Sequence, residues 1–380
     1  MTGNIFIEDG IDRVKYLPML TKWYVKEHNA VVKEKYPKRY TALFACPVWG
    51  AYVDRFLNIC IPSLLAPGNL PALTTGIILL LHTDKASKPK LEKGLAHLRK
   101  YKVKVIIKVI PARIIAETGV RKLNKYWLLG SVQNYYLRFA KVHGLGFHML
   151  MPDHVYSHEY FYNLGRLSDK HPFIVQGSIN GHLKYCSEDL EPYRKGKRLI
   201  VPAKELAAIG CNYLHSITHA GIMNGRDWKQ RISRSHIFLW RGKRELRIYC
   251  PHSTIAWISA ELVKHVPLRL FSALDTQLPY LAPEPIPVYV PTLKDNMVYV
   301  ELSDDSKPDN KELTHFDEFA ARYWMANKID GYLRYFRRGH SFPLPYAKDG
   351  MNKKDIDKGM KALLADLVAC KGKKYTFQRI

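Results

Sequence analysis

Short apolar runs alternate along this chain with stretches in which apolar residues recur every three to four positions, the mark of strands and amphipathic helices in turn. "YTALFACPVWG" at 40–50 predicts a strand that ends in a Pro-Val-Trp-Gly loop. "YVDRFLNICIPSLL" at 52–65 places Val53, Phe56, Leu57, Cys60 and Leu64 at helical spacing, and "APGNLPAL" closes it with turn residues. A second strand at 76–81 ends in "HTD", and a helix over 88–100 leads to a third, "VKVIIKVIP" at 103–111. Helical spacing over 126–144 precedes a fourth strand, "FHMLM", which runs into the turn "PDHVYSH"; "PFIVQG" at 172–177 predicts another strand. This rhythm predicts an α/β architecture, a mostly parallel central sheet with flanking helices.

The flanking regions read differently. Residues 1–39 predict an N-terminal helical segment that packs on the main body. Beyond about residue 200 the pattern loosens. A helical stretch sets His215 and His219 four apart, "HIFLWRGKRELRIYCPHS" predicts a short hairpin, and "APEPIPVYVP" is a proline-rich connection. A strand in "MVYVELSDDSKP" and a helix over 316–327 lead to a basic, aromatic tail. The expected division is 1–39, a central α/β domain over 40–290, and a basic mixed α+β extension over 291–380 packed on it.

Charge changes the picture most. The 59 Lys and Arg against 34 Asp and Glu leave a formal +25, which implies an anionic partner such as nucleic acid, a nucleotide, an anionic glycan or lipid headgroups. The stretch 226–247 holds eight basic residues, with Trp228, Phe238 and Trp240 among them. Rings that stack and guanidiniums that hold phosphates make Trp228, Arg241 and Arg244 candidate acceptor contacts. The six cysteines show no CxxC pairing, no apolar run reaches membrane-span length, and the first residues lack a cationic-then-apolar leader. These features predict reduced thiols and a cytoplasmic location. The glycine fingerprint of dinucleotide folds, the P-loop, the serine elbow and the zinc-protease helix are all missing.

In a parallel sheet, ligands bind outside the carboxyl ends of the strands. Three polar exits lie there: the loop of Pro47, Val48, Trp49, Gly50 and Tyr52; the pair His82 and Asp84; and the turn bearing Asp153, Tyr156 and His158. Asp153 either caps the helix predicted by "SHEYFYNLGRL" or meets a ligand. Ser157 is the better-placed cap, which leaves Asp153 for a metal, nucleotide or sugar contact.

The segments "FACPVWGAYVDRFLNICIPSLLAPGNLPAL", "HTD" and "MLMPDHVYSHEYFYNLGRL" resemble a branch of A-type-fold nucleotide-sugar glycosyltransferase-like proteins of bacteria and phages. The resemblance covers roughly 40–167, with weaker echoes around His252, Asp275 and "VELSDDS". It implies a nucleotide-sugar donor, a UDP-sugar first, over the strand ends. Pro47–Tyr52 would lie under the nucleotide, Asp84 with His82 beside ribose or base, and Asp153 near the diphosphate. One departure stands out: the family's Asp-x-Asp turn is Asp153-His154-Val155 here, without the second acid. A divalent cation, Mn²⁺ or Mg²⁺, would then use Asp153 with His252, His158 or Asp275, or arginines would steady the diphosphate without a metal. Asp275, in an otherwise apolar segment, is the preferred base for an inverting reaction, with His219 and His252 behind it; a retaining reaction needs no strong base. Tyr156, His158, Trp228, Arg241 and Arg244 would face the acceptor. Phage DNA carrying hydroxymethylated bases would suit the charge, with the target base flipped toward Asp153 and Asp275. An anionic cell-surface glycan or a lipid-linked sugar would suit it as well. The competing expectation is a non-catalytic nucleic-acid-binding protein with a degenerate transferase fold.

Overall fold

The computed structural model describes residues 17–33, 36, 39–119, 124–230, 232–233, 238–249, 254–266, 274, 286–304, 313–316, 340–344 and 348–369. The chain forms two compact units that interleave along the sequence. One is Met1–Val175, Arg194–Ile200 and Thr254–Tyr289; the other is Gln176–Tyr193, Val201–Ser253 and Val290–Ile380. These units cut across contiguous blocks such as 40–290 and 291–380.

The first unit is built on a six-stranded mixed sheet. Its strands are β1 (Tyr40–Pro47), β2 (Gly76–Thr83), β3 (Val103–Val109), β4 (Gly146–Met149), β5 (Phe173–Gln176) and β6 (Thr254–Ile258). They lie in the order β3-β2-β1-β4-β6-β5. β1 pairs in parallel with β2 on one side and β4 on the other, and β2 pairs in parallel with β3. β6 runs antiparallel to β4, with Ile258 opposite Phe147. β2 is buried at every position and β1 from Ala42 onward, so both read as near-continuous apolar runs. β3, on the edge, is only half-buried past Val103. The sheet is thus mostly parallel with flanking helices, as the alternation predicted. The antiparallel β6 was not foreseen, because "TIAWI" runs directly into a helix whose cap, Ser259, accepts from Leu262 N–H at 3.2 Å.

The first chain crossovers explain where a site can lie. From β1 the chain moves outward through β2 to β3, then returns to place β4 on the opposite side of β1. Strand order therefore reverses between β1 and β4, and the loops leaving their carboxyl ends part there into a crevice.

The N-terminal helix, Pro18–Val31, buries Leu20, Trp23, Tyr24 and Val31. It has no side-chain cap of its own. Glu117 supplies one instead, its carboxylate accepting from Leu20 N–H at 2.8 Å and Met19 N–H at 3.2 Å.

In the second unit, Ile179–His182 and Tyr299–Ser303 pair in parallel. The helix Ala203–Asn212 packs on them through Gly210, where a Cβ would meet Val300 at 2.9 Å. The predicted hairpin is present as Phe238–Arg241 against Glu245–Tyr249, and His340–Pro343 adds a third strand. Trp240, Tyr249 and Met223 close a core against the helix Lys353–Ala369 through Ile356, Met360, Leu363 and Leu367. Beyond Phe316 the helix expected over 316–327 lies outside the described residues. Among the described residues, no helix is long and apolar enough to cross a membrane.

Candidate functional site at the ends of β1 and β4

The loop after β1 is shaped by one glycine and one carboxylate. Gly50 takes φ +57°, a left-handed conformation that costs glycine nothing. Asp84 accepts from Gly50 N–H at 3.0 Å, Ser87 N–H at 2.8 Å and the Ser87 hydroxyl at 2.7 Å. Burial raises the Asp84 carboxyl, but these hydrogen bonds outweigh it and hold the group below its ordinary range. Asp84 therefore ties the β1 loop to the β2 loop. Val48 is buried and its N–H donates to the His82 carbonyl at 2.9 Å. Trp49 is half-buried and Tyr52 is exposed, with the Arg55 guanidinium 4.9 Å from the Tyr52 ring centre.

The helix that follows, over 52–64, is not a plain α-helix. Pro62 has no N–H to give the Asn58 carbonyl, and its ring would collide with an ordinary preceding turn. The chain responds with a π turn at Phe56–Cys60, in which Ile61 N–H donates to the Phe56 carbonyl five residues back. The released Asn58 carbonyl accepts from Arg194 Nη2 at 3.2 Å. "LNICIPSL" carried the signal for this irregularity in Pro62.

Asp153 sits where the reversal places it, only 6 % exposed. Its Oδ1 has no hydrogen-bond partner among the described residues. Burial pushes its carboxyl up to about 6, against the pull of its own backbone N–H and of the Arg55 guanidinium. The field of Asp153 also reaches the buried thiols of Cys46 and Cys60, which burial already holds well above the usual range. Arg55, Cys46 and Cys60 thus surround the acid, although sequence reasoning had assigned none of them a role.

Buried polar residues pin the segment carrying Asp153. Ser63 Oγ donates to the Cys60 carbonyl at 2.8 Å and accepts from Tyr156 N–H at 3.1 Å. Asn69 is fully buried; its Nδ2 donates to the Ser63 carbonyl at 2.8 Å and the Ser157 carbonyl at 3.0 Å. Its Oδ1 accepts from Phe161 N–H at 3.0 Å. Gly68 touches the same segment, since a Cβ there would lie 2.6 Å from Glu159 Cα. Glu159 itself takes φ +67° and stands at the N-cap of the helix Tyr160–Ser168 without a side-chain cap bond. The N-cap position of that helix thus belongs to Glu159 and not to Ser157 or Asp153.

Other expected site residues are placed elsewhere. The His82 ring is fully buried among Trp23, Tyr135 and Tyr136, and burial beside Lys108 holds it neutral, down to about 3. It is part of the core and presents nothing to a nucleotide. Tyr156 is likewise buried, its hydroxyl sharing a hydrogen bond with His154 Nδ1 at 3.2 Å, so it meets no acceptor. His158 is half-buried beside them. His219, Trp228, Arg241 and Arg244 belong to the second unit. There His219 is exposed at the end of a short helix, while His215 is buried with Nε2 3.1 Å from the Asp304 carbonyl oxygen. Arg241 and Arg244 are exposed on the hairpin. Asp275 and His252 lie outside the described residues. Among the described residues no group of three or more His, Cys, Asp or Glu gathers as a ready metal-ligand set.

Trp228 is a structural residue. Its indole N–H donates to Asp366 Oδ2 at 2.9 Å, and its ring packs against the core of the second unit. Trp228→Ala is expected to lower the urea midpoint by an amount worth about 2 kcal/mol or more. Arg241→Ala with Arg244→Ala, both exposed on the hairpin, should leave that midpoint unchanged.

The chain matches no family model and no curated protein.

Proposed function

We propose that the protein is a glycosyltransferase that moves a sugar from a nucleotide-sugar donor, a UDP-sugar first, to a hydroxyl of a polyanionic acceptor such as DNA. The observation that carries this reading is Asp153: a buried acid with an unpartnered oxygen, beside a guanidinium, at the strand-order reversal of a mostly parallel sheet. Pattern-based resemblance to A-type-fold transferases leads to the same loops, Pro47–Tyr52 and Asp153–His158.

In this reading the nucleotide rests on the Val48–Tyr52 loop, and its base stacks on the exposed Tyr52 ring. Asp84 is second to that contact, because its carboxylate is already committed to Gly50 and Ser87. Arg55 steadies the departing diphosphate as charge builds on it. An ionised Asp153 would repel a diphosphate, so it needs either its proton or a cation between them. Its unpartnered Oδ1 fits a divalent ion such as Mn²⁺ or Mg²⁺, which when bound supplies positive charge to the leaving group. Phosphate oxygens and water would complete the coordination of an ion held by one carboxylate.

Support for a polyanionic acceptor comes from the second unit. Lys243 N–H donates to the Met351 carbonyl at 3.2 Å and Met351 N–H to the Arg241 carbonyl at 3.1 Å. This stitches the Arg241–Arg244 turn to the start of the helix that exposes Lys353, Lys354, Lys358 and Lys361. Basic residues of two distant segments are so joined through their backbones.

The test is a thermal-shift series with UDP-, GDP-, ADP- and CMP-sugars, each with and without Mn²⁺. At a hundredfold excess over Kd a bound donor adds about 2.7 kcal/mol, several degrees of melting temperature. The expected result is a shift with one nucleotide class, lost in Arg55→Ala. No shift with any donor, together with salt-sensitive DNA binding, would replace this reading with that of a nucleic-acid-binding protein.

A further inference from the structure

A second cavity opens in the first unit, on another part of the 52–64 helix. It has a volume of about 690 Å³, within the range of small-molecule sites. Three elements build it. Leu57, Ile61, Pro62 and Leu65 give it an apolar floor. The helix Lys88–Leu95 and the turn after it contribute Lys90, Lys93 and His97 at spacings of three and four, which put them on one face. The hairpin of Arg194–Lys195 and Arg198–Leu199 turns through Gly196, at φ +61°, and contributes Arg194 and Lys197.

The floor and the second wall meet closely. A Cβ on Gly94 would lie 2.7 Å from Leu57 Cδ2, so a larger residue there would push the Leu57 side chain aside.

The charge of this cavity is one-sided. Four permanent cations line it, and none of its lining residues is acidic. Asp54, outside the lining, pairs with Lys90 at 2.5 Å, and Arg194 reaches the Asn58 carbonyl. Lys93 and Lys197 are exposed and make no ion pair among the described residues. His97 Nε2 is buried and has no hydrogen-bond partner among the described residues. Burial and then the Lys197 ammonium lower the affinity of this imidazole for a proton, a sign that the local field is positive.

A concave site with an apolar floor and four cations at its rim is the complement of an anionic amphiphile. A carboxylate would answer one of those charges. A phosphate monoester carries close to two at neutral pH, with three acceptor oxygens for Lys93 and Lys197 to share. We propose that this cavity is a binding site for a phosphate monoester with an apolar chain, the phosphoryl group between Lys93 and Lys197 and the chain on Leu57, Ile61 and Leu65. It is separate from the Asp153 site and does not rest on the donor reading.

Isothermal titration calorimetry of the full chain with octyl phosphate, kept below its micelle concentration, tests it. The expected result is one saturable site, with inorganic phosphate and the neutral octyl glucoside each binding at least tenfold more weakly. Lys93→Ala with Lys197→Ala should weaken octyl phosphate at least tenfold; both side chains are exposed, so the variant should melt like the parent. Ile61→Ser should weaken octyl phosphate but not inorganic phosphate, which tests the floor without touching the charges. Absence of saturable binding overturns the proposal, as does affinity that the double variant leaves unchanged. Equal affinity for inorganic phosphate or for octyl glucoside overturns it as well, since head and chain must both contribute.

Discussion

Asp153→Asn is expected to melt several degrees higher than the parent at pH 7 and, on the proposed transferase reading, to lose donor-dependent transfer at least a hundredfold. Both effects come from one group. In the unfolded chain the Asp153 carboxyl titrates near 3.8, whereas burial in the fold lifts it to about 6. Below 3.8 both states hold the proton and burial costs nothing through this linkage. Between 3.8 and about 6 the unfolded chain releases its proton while the fold keeps it, so stability falls as pH rises. Above about 6 the fold carries the full cost of a buried carboxylate, about 3 kcal/mol from such a lift. Asparagine keeps the shape and removes the charge. Melting curves of the two proteins should therefore coincide at pH 3.5, separate through pH 4–6 and stay apart to pH 8. Parallel curves over that range would show that Asp153 is not held up by burial.

An acid kept where it destabilises the fold calls for a reason outside the fold. Asp84 is the contrast within the same crevice. Its hydrogen bonds hold it ionised and assign it to loop geometry. Asp153 has an empty lone pair, an elevated carboxyl and a guanidinium close by. Perturbed groups of that kind gather where ligands are handled.

How much of this could be read from the chain depends on what kind of burial was involved. Strands β1, β2, β4 and β5 were legible because a strand covered on both faces must be apolar at nearly every position, as "LFACP" and "IILLLH" are. Asp153 stood out in the sequence because an acid directly after such a run is costly to bury, and the fold does bury it. His82 and Tyr156 were misplaced for a related reason. A polar ring at a strand end looks the same whether it turns toward solvent or into an aromatic core, and the partners that decide, Trp23 and Tyr135 around His82 and Ser63 under Tyr156, are distant in sequence. Trp228 was misplaced likewise, since its acceptor, Asp366, lies 138 residues away. Asn69 was read only as a turn residue in "APGNLPAL", yet it is the link between that turn and the Asp153 segment.

Asn69→Ala is expected to lower unfolding stability by about 3–5 kcal/mol, read as a fall in urea midpoint at unchanged slope. Every polar atom of the Asn69 amide is engaged: both Nδ2 hydrogens on the Ser63 and Ser157 carbonyls, and Oδ1 on Phe161 N–H. The opposed roles fix which end is nitrogen and which is oxygen. Alanine would leave the buried Phe161 N–H without its acceptor, at about 1–3 kcal/mol, and would take one of the hydrogen bonds from each of the Ser63 and Ser157 carbonyls, which keep those from Ala66 N–H and Tyr160 N–H, at about 1 kcal/mol each. Asn69→Asp separates this account from simple loss of volume. It preserves size and the bond from Phe161, but at pH 7 it turns carboxylate oxygen toward the two carbonyls that need donors. It should therefore be at least as damaging as alanine at pH 7 and recover in part in acid, where a protonated carboxyl regains one donor. If Asn69→Asp instead behaves like the parent, the amide is not what fastens 153–161 to the 52–64 helix. Donor binding supplies the second readout, since the same bonds set where Asp153 stands relative to Arg55. A variant that folds yet leaves the segment loose should weaken nucleotide-sugar binding even though Asn69, being fully buried, touches no ligand.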